Sequence, residues 1–293
     1  MTSAARPENR VTTDQRSGIL YAAIAALFFS TSPIFIRWAS PLSVYQVACG
    51  RLVVGSAAIL GLAAWRRELR LPRRREAGRF ILYGFITAAH FVFYVAAVNF
   101  TTIAHTLTIV YTAPIFIALL SAWMLKETLP ARRYAGMGVA IAGLAIMVGF
   151  EANLTGRMLL GDLLALGSAI TFALYSIAGR AQRASYPLFS YAGMVYSMAA
   201  FWLAPLALFL PGAMPALPQI GAIAGMGLLP MAVGHTLYNA AVRHTHAAYA
   251  NLIAMQEVTG GVILGALLLG EMPGPSAIIG IVITLAGIAL VLW

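Results

Sequence analysis

Residues Ile19 to Ile36 read ILYAAIAALFFSTSPIFI, eighteen positions without a charged side chain. As a helix rising 1.5 Å per residue, the run is about 27 Å long, close to the roughly 30 Å hydrocarbon core of a bilayer. A helix also satisfies its backbone N–H and C=O groups internally where no water can do so. The run is longer than the apolar centre of a signal peptide and no A-x-A cleavage site follows it, so it reads as a helix that stays in the protein. Its flanks extend it to Ser17–Trp38, and stretches of similar length recur at Ser43–Trp65, Gly78–Val98, Thr102–Met124 and Arg132–Phe150. Five more follow at Leu160–Gly179, Leu188–Leu210, Gln219–Ala241, His246–Leu269 and Gly274–Trp293. The expected fold is therefore all-α integral membrane, with ten transmembrane helices. Lipid-exposed β-barrel strands, of about 9–11 residues each, do not fit these lengths.

Composition points the same way. Of the 293 residues, 61% are hydrophobic and 10% charged, and the mean hydropathy is +0.85, whereas a soluble domain carries about 25% charged residues. A net charge of +10 in a soluble chain would raise nucleic-acid binding, but here the basic residues lie between apolar stretches and form no single face, so no nucleic-acid partner is expected. The single cysteine, Cys49, excludes an internal disulfide and belongs to no metal-binding spacing. His244-Thr-His246 has no third ligand close by in its loop. Neither metal nor cofactor is expected.

The basic residues report topology instead. If the first helix starts on one side, the N-terminal tail and every even-numbered loop share that side. Sixteen of the nineteen basic residues fall there: Arg6, Arg10, Arg16, the seven arginines from Arg66 to Arg79, Lys126, Arg132, Arg133, Arg180, Arg183 and Arg243. The other side has Arg157 in a loop and Arg37 at a helix end. Both termini are expected in the cytoplasm. Arg51, about two turns into the second span, is close enough to the outer interface to snorkel towards it, and its expected role is that of a structural partner.

An internal repeat underlies the spans. Gly18-Ile-Leu-Tyr-Ala22 matches Gly161-Asp-Leu-Leu-Ala165 at an offset of 143, which also carries Phe29 onto Phe172. Tyr94-Val-Ala-Ala97 matches Tyr238-Asn-Ala-Ala241 at an offset of 144. The same offset carries Leu125-Lys-Glu127 onto Leu269-Gly-Glu271, and Gly136 and Gly143 onto Gly280 and Gly287. The chain divides into a cytoplasmic tail (1–16), a first five-helix repeat (17–150), a periplasmic linker (151–159) and a second five-helix repeat (160–293). Five is odd, so the second repeat enters from the opposite face and the two are inverted. Such a pair has a pseudo-two-fold axis in the membrane plane, which lets similar elements build inward-open and outward-open states around one midplane site. Gly221-x-x-x-Gly225 and Gly261-x-x-x-Gly265 predict close helix approach, and Pro33, Pro114, Pro205 and Pro230 predict kinks.

The ten spans, the repeat, the Glu127 and Glu271 motifs closing the fourth and ninth spans, and the glycine-rich fifth and tenth spans resemble the drug/metabolite transporter superfamily, EamA type. The resemblance covers the chain after Arg16. It implies a basket of helices around a central cavity, with the fifth and tenth spans outside it. The chain looks most like bacterial exporters of amino acids, including aromatic ones, and of cationic toxic compounds. That implies a multi-pass protein of the bacterial inner membrane.

Ionisable and polar groups at mid-span are costly in hydrocarbon and should face a wet interior. Drawing on the residues and on the resemblance together, the expected substrate-binding set is Phe28, Ser32, His90, Tyr94, Tyr111, Thr171, Tyr175, His235, Tyr238, Asn251, Gln256 and Glu257. Aromatic faces suit an apolar body, and amides and imidazoles suit polar ends, as in an amino acid. Phe28, Tyr94, Tyr111 and Tyr175 would also embrace a cation. For each residue alone, a hydrogen bond between helices is the structural alternative. Glu127 and Glu271 are expected to be caps or loop anchors. Glu257 or His90 is the candidate proton carrier, with uncoupled facilitation as the alternative.

No HExxH or GxSxG motif supports an intramembrane hydrolase, so no enzyme is expected. Lys126, the only lysine, lies at a helix end and cannot form a buried Schiff base. Nothing resembles a channel's filter loop. The expected function is export of amino acids or related aromatic or cationic metabolites by alternating access, with a receptor or scaffold as the alternative. The expected partners are a small-molecule substrate and the lipid bilayer, for a monomer with a homodimer left open.

Overall fold

The computed structural model describes residues 13–101, 103–148, 155–210, 212–269 and 275–292. Every regular element among them is helical. The first half contains α1 (Thr13–Phe29), α2 (Ser32–Trp38), α3 (Val44–Trp65), α4 (Arg74–Phe100), α5 (Ile103–Val110), α6 (Ala113–Leu120) with a π-helical turn Ser121–Leu125, and α7 (Ala131–Val148). The second contains α8 (Gly156–Ala181), α9 (Leu188–Phe209), α10 (Leu217–Met226) continuing through a π-helical stretch Gly227–His235 into α11 (Thr236–His244), then α12 (Ala247–Ala254), α13 (Gln256–Leu269) and α14 (Pro275–Leu292).

Local chemistry sets several boundaries. At the start of α3 the Gln46 N–H donates to Ser43 Oγ at 3.2 Å and the Ser43 N–H donates to Gln46 Oε1 at 2.8 Å, a reciprocal cap for N–H groups that lack helical partners. Thr155 caps α8 by accepting from the Met158 N–H at 3.2 Å. Pro33 and Pro114 each sit at the restart of a broken helix, and Pro230 lies in the π-helical stretch. Pro205 is carried inside continuous α9. A further break, at Met255 between α12 and α13, has no proline at all.

Eight helical runs are long and apolar enough to cross a membrane: Asp14–Trp38, Val44–Trp65, Arg74–Phe100, Thr106–Leu125, Gly156–Ala181, Leu188–Phe209, Leu217–His244 and Ala247–Leu268. The expected fifth and tenth spans fall outside this count. α7 opens on Arg132 and Arg133, and the apolar part of α14 is shorter, Ile278–Val291. The surface is apolar, as lipid requires, and charged and polar side chains are buried within the largely apolar interior. Leu27, Phe201, Phe209, Leu267 and Val282 are exposed, while Arg51, His90, His235, Asn239, Asn251 and Glu257 are buried.

Around the interior, α3 crosses α9, α4 lies on α8 and α9, and α1 lies on α11 and α12. α7 and α14 pack chiefly on each other. A Cβ at Gly143 would lie 2.4 Å from the Thr284 nitrogen, and one at Gly287 would lie 2.3 Å from the Ala140 nitrogen, so these backbones touch where only glycine fits. The other expected glycine contacts divide: Gly225 meets Phe35, but Gly221 and Gly261 face open space.

Candidate functional site

The buried polar groups converge on one central cavity. Two helix breaks shape it. Tyr111 sits where α5 gives way to α6, and Glu257 sits in the first turn of α13 just after the Met255 break. There the free N–H groups of a helix start favour a carboxylate. The Tyr94 hydroxyl, from α4, donates to Glu257 Oε1 at 3.1 Å, and the Tyr111 hydroxyl donates to Oε2. Both carboxylate oxygens are therefore engaged from the opposite half of the chain.

Arg51 corrects the sequence reading. It does not snorkel; it is 1% exposed and lines the same cavity as Glu257. Its Nη1 donates to Ser32 Oγ at 3.4 Å, its guanidinium lies 4.4 Å from the Phe91 ring centroid, and its Nε has no partner. Ser32 in turn stands beside the Tyr94 hydroxyl, so a polar chain runs Arg51–Ser32–Tyr94–Glu257–Tyr111. No direct salt bridge joins Arg51 and Glu257 among the described residues. The physical reason for the burial is that α9, the π-helical stretch and α4 pack against α3, and the ring face and the opposite charge offset part of the cost of leaving water.

The remaining wall is aromatic. The His235 ring lies 4.6 Å from Phe29 and 5.0 Å from Phe91, and His90 stacks on Phe172 at 4.8 Å. His90 Nδ1 sits 3.1 Å from the Ser168 carbonyl and 3.0 Å from its hydroxyl, which holds the ring in place. His235 Nδ1 has no partner. The free space is about 30 Å³. That accommodates a water or two, so the site is closed and a larger solute requires the helices to part.

Of the expected substrate-binding residues, Ser32, His90, Tyr94, Tyr111, His235 and Glu257 line the cavity. Tyr175 and Tyr238 form the next layer, with ring centroids 5.7 Å and 5.1 Å from Phe172. Tyr175 accepts from Asn239 Nδ2, and the Tyr238 and Ser176 hydroxyls are 2.7 Å apart. Asn251 is fully buried beside Tyr238, but neither of its polar atoms has an ordinary hydrogen bond. Phe28, Thr171 and Gln256 do not reach the lining. Thr171 bonds the Gly167 carbonyl of its own helix at 2.7 Å, and Gln256 Oε1 accepts from Thr259 at 3.0 Å. Arg51, Phe29, Phe91, Val110 and Phe172 complete the lining and are not among the expected binding residues. The repeat register contained a signal for three of them, because it pairs Phe29 with Phe172 and Phe91 with His235.

Away from the cavity, at the end carrying most basic residues, Arg180 Nε pairs with Glu127 at 2.9 Å and Arg183 with the same carboxylate at 3.5 Å. Arg180 Nη1 also donates to the Val242 and Thr245 carbonyls at 2.9 and 2.7 Å. Glu127 thus anchors a helix end, while Glu271 lies outside the described residues. Among the described residues no group of His, Cys, Asp and Glu is arranged to hold a metal ion.

An apolar exterior around a buried, charged and aromatic cavity defines a multi-pass membrane transporter. The chain belongs to the EamA-like transporter family, whose model matches residues 16–149 and again 159–293. It is 25% identical over 276 residues to the uncharacterized transporter YwfM of Bacillus subtilis, covering 93% of this chain and 92% of that one. It is 27% identical over 280 residues to a probable terminal-alkyne amino-acid exporter of Streptantibioticus cattleyicolor, covering 87% and 90%. A solved crystal structure shares the fold at a TM-score of 0.80 and 19% identity, over 94% of this chain and 96% of that one.

Proposed function

We propose that the protein exports amino acids with aromatic or similarly apolar side chains across the bacterial inner membrane by alternating access. The observation that carries this is the placement of Arg51 and Glu257 in one closed cavity walled by Phe29, Phe91, Phe172 and His235. Opposite charges in one cavity with aromatic walls match a zwitterion. The carboxylate pairs with Arg51, whose Nε is unpartnered, the ammonium pairs with Glu257, and the side chain lies on the rings. A bare organic cation would suit Glu257 and the rings but would meet Arg51 as a like charge, so the zwitterion is favoured. The outward direction follows the amino-acid exporter among the relatives.

Alternating access rests on two inverted five-helix repeats, with α7 and α14 read as the fifth and tenth spans. Packing supports the repeat. Exchanging the halves turns α4-on-α8 into α11-on-α1, and turns α5 and α6 on α8 into α12 and α13 on α1; all of these packings are present. α3-on-α9 and α7-on-α14 map onto themselves. Gly18 lies against Thr245 and its counterpart Gly161 against Thr101, the matching threonine. The two matches to the family model divide the chain at the same place. The positive-inside rule puts the Arg180–Glu127 end and both termini in the cytoplasm. In this scheme that ion pair must separate for the site to open inwards.

Counterflow tests the substrate. Proteoliposomes preloaded with unlabelled phenylalanine are expected to accumulate labelled phenylalanine or tryptophan well above empty liposomes, and to accumulate threonine or a quaternary ammonium more weakly. Absence of flux for all of them overturns the proposal.

A further inference from the structure

At the basic end of the bundle, apart from the central cavity, a second cleft of about 310 Å³ is lined by Arg133, Arg180, His244, Thr245, His246 and Tyr249. Most of its charged and imidazole groups are already committed. Arg180 is held by Glu127 and by the carbonyls of Val242, Arg243 and Thr245, and His244 Nδ1 lies 2.5 Å from the Asp14 carboxylate. His246 uses Nδ1 to accept from the Ala248 N–H at 3.2 Å and faces the Glu127 carbonyl with Nε2.

Three donors are not committed. Arg133 stands over the Tyr249 ring at 4.8 Å, its Nε is buried without a partner, and among the described residues no carboxylate lies within ion-pair distance of it. Tyr249 and Thr245 are each 3% exposed, and both hydroxyls lack a partner. Buried polar groups of native proteins are normally satisfied, and an unmade bond at such a group is destabilising. Among the described residues, two unpaired hydroxyls and a guanidinium without a counter-ion line one open cleft and form a donor set with no acceptor. An oxyanion supplies what is missing: negative charge for Arg133 and lone pairs for the two hydroxyls.

We propose that this cleft is a second binding site, for the carboxylate or phosphate group of a small solute or of a lipid headgroup. Arg133 provides the charge, and Tyr249 and Thr245 provide neutral donors. The site does not depend on what the central cavity carries.

The test uses the full-length protein in nanodiscs of neutral phosphatidylcholine, titrated calorimetrically with inorganic phosphate at constant ionic strength. Saturable binding is expected, weakened at least about tenfold by Arg133→Gln and several-fold by Tyr249→Phe, which keeps the ring and removes only the hydroxyl. Arg132→Gln removes the same charge one residue away, outside the cleft, and is expected to change binding less than about twofold. In parallel, the protein is purified from membranes containing phosphatidylglycerol and its retained lipids are weighed by mass spectrometry. Selective retention of the anionic lipid that is lost in Arg133→Gln but not in Arg132→Gln identifies the headgroup as the source, and saturable phosphate binding with the same pattern identifies a soluble anion. Equal effects of the two arginine substitutions, or no effect of either on any anion, overturn the proposal.

Discussion

Arg51→Met is expected to reduce counterflow of an aromatic amino acid by about 100-fold, while the protein still elutes as a single species in detergent. Removing one partner of a buried charge pair costs about 2–5 kcal/mol, and each ~1.4 kcal/mol is tenfold in affinity. Arg51 is buried and shares its cavity with Glu257, so little solvent is present to compensate. The aromatic amine that lacks the carboxylate provides the internal control. If Arg51 holds the carboxylate, Arg51→Met lowers amino-acid flux far more than amine flux, and selectivity reverses. Equal loss for both solutes would instead mean that Arg51 only holds the helices. Glu257→Gln is expected to show the opposite bias and to abolish the response of flux to a pH gradient, and an unchanged response would remove Glu257 as a proton carrier.

The second large effect is structural. Gly143→Leu and Gly287→Leu are each expected to destabilise the protein by about 3 kcal/mol or more, at the upper end of what overpacking costs. A Cβ alone would stand 2.4 and 2.3 Å from backbone nitrogens of the facing helix, and backbone cannot move aside as a flexible side chain can. Gly138 on the same helix has nothing within 4 Å of its Cβ position. Gly138→Ala should therefore leave the thermal midpoint unchanged or raise it slightly, because alanine is the better helix former. Thermal unfolding of the detergent-solubilised variants decides this, and equal midpoints for all would show that α7 and α14 do not touch as described.

Much of the candidate site was legible in the chain. His90, Tyr94, Tyr111 and Glu257 stood out because an ionisable or hydroxyl side chain in an apolar run must find an interior. Phe29 lines the cavity in place of the expected Phe28 because adjacent residues point about 100° apart on a helix, and only the packing of α1 against α11 and the π-helical stretch decides which of them faces inwards. Gln256, expected beside Glu257, stays outside the lining for the same reason. The break at Met255 turns Glu257 towards Tyr94 and Tyr111, and no proline announces it. Arg51 departs from the sequence expectation because depth along a span does not by itself set exposure. A side chain two turns from an interface can reach water only if no neighbouring helix covers it.

Lipid solvation acts on each segment separately, so run lengths and the distribution of basic residues determined by themselves that the chain crosses a bilayer many times. The offset of about 143 residues likewise raised the expectation of two related halves, and each half matches the same family model. Which side chains share a cavity was decided only by the tertiary structure. Arg51 and Glu257 are 206 positions apart in the chain and belong to different halves, and the rotation of each helix about its own axis is set by packing against its neighbours.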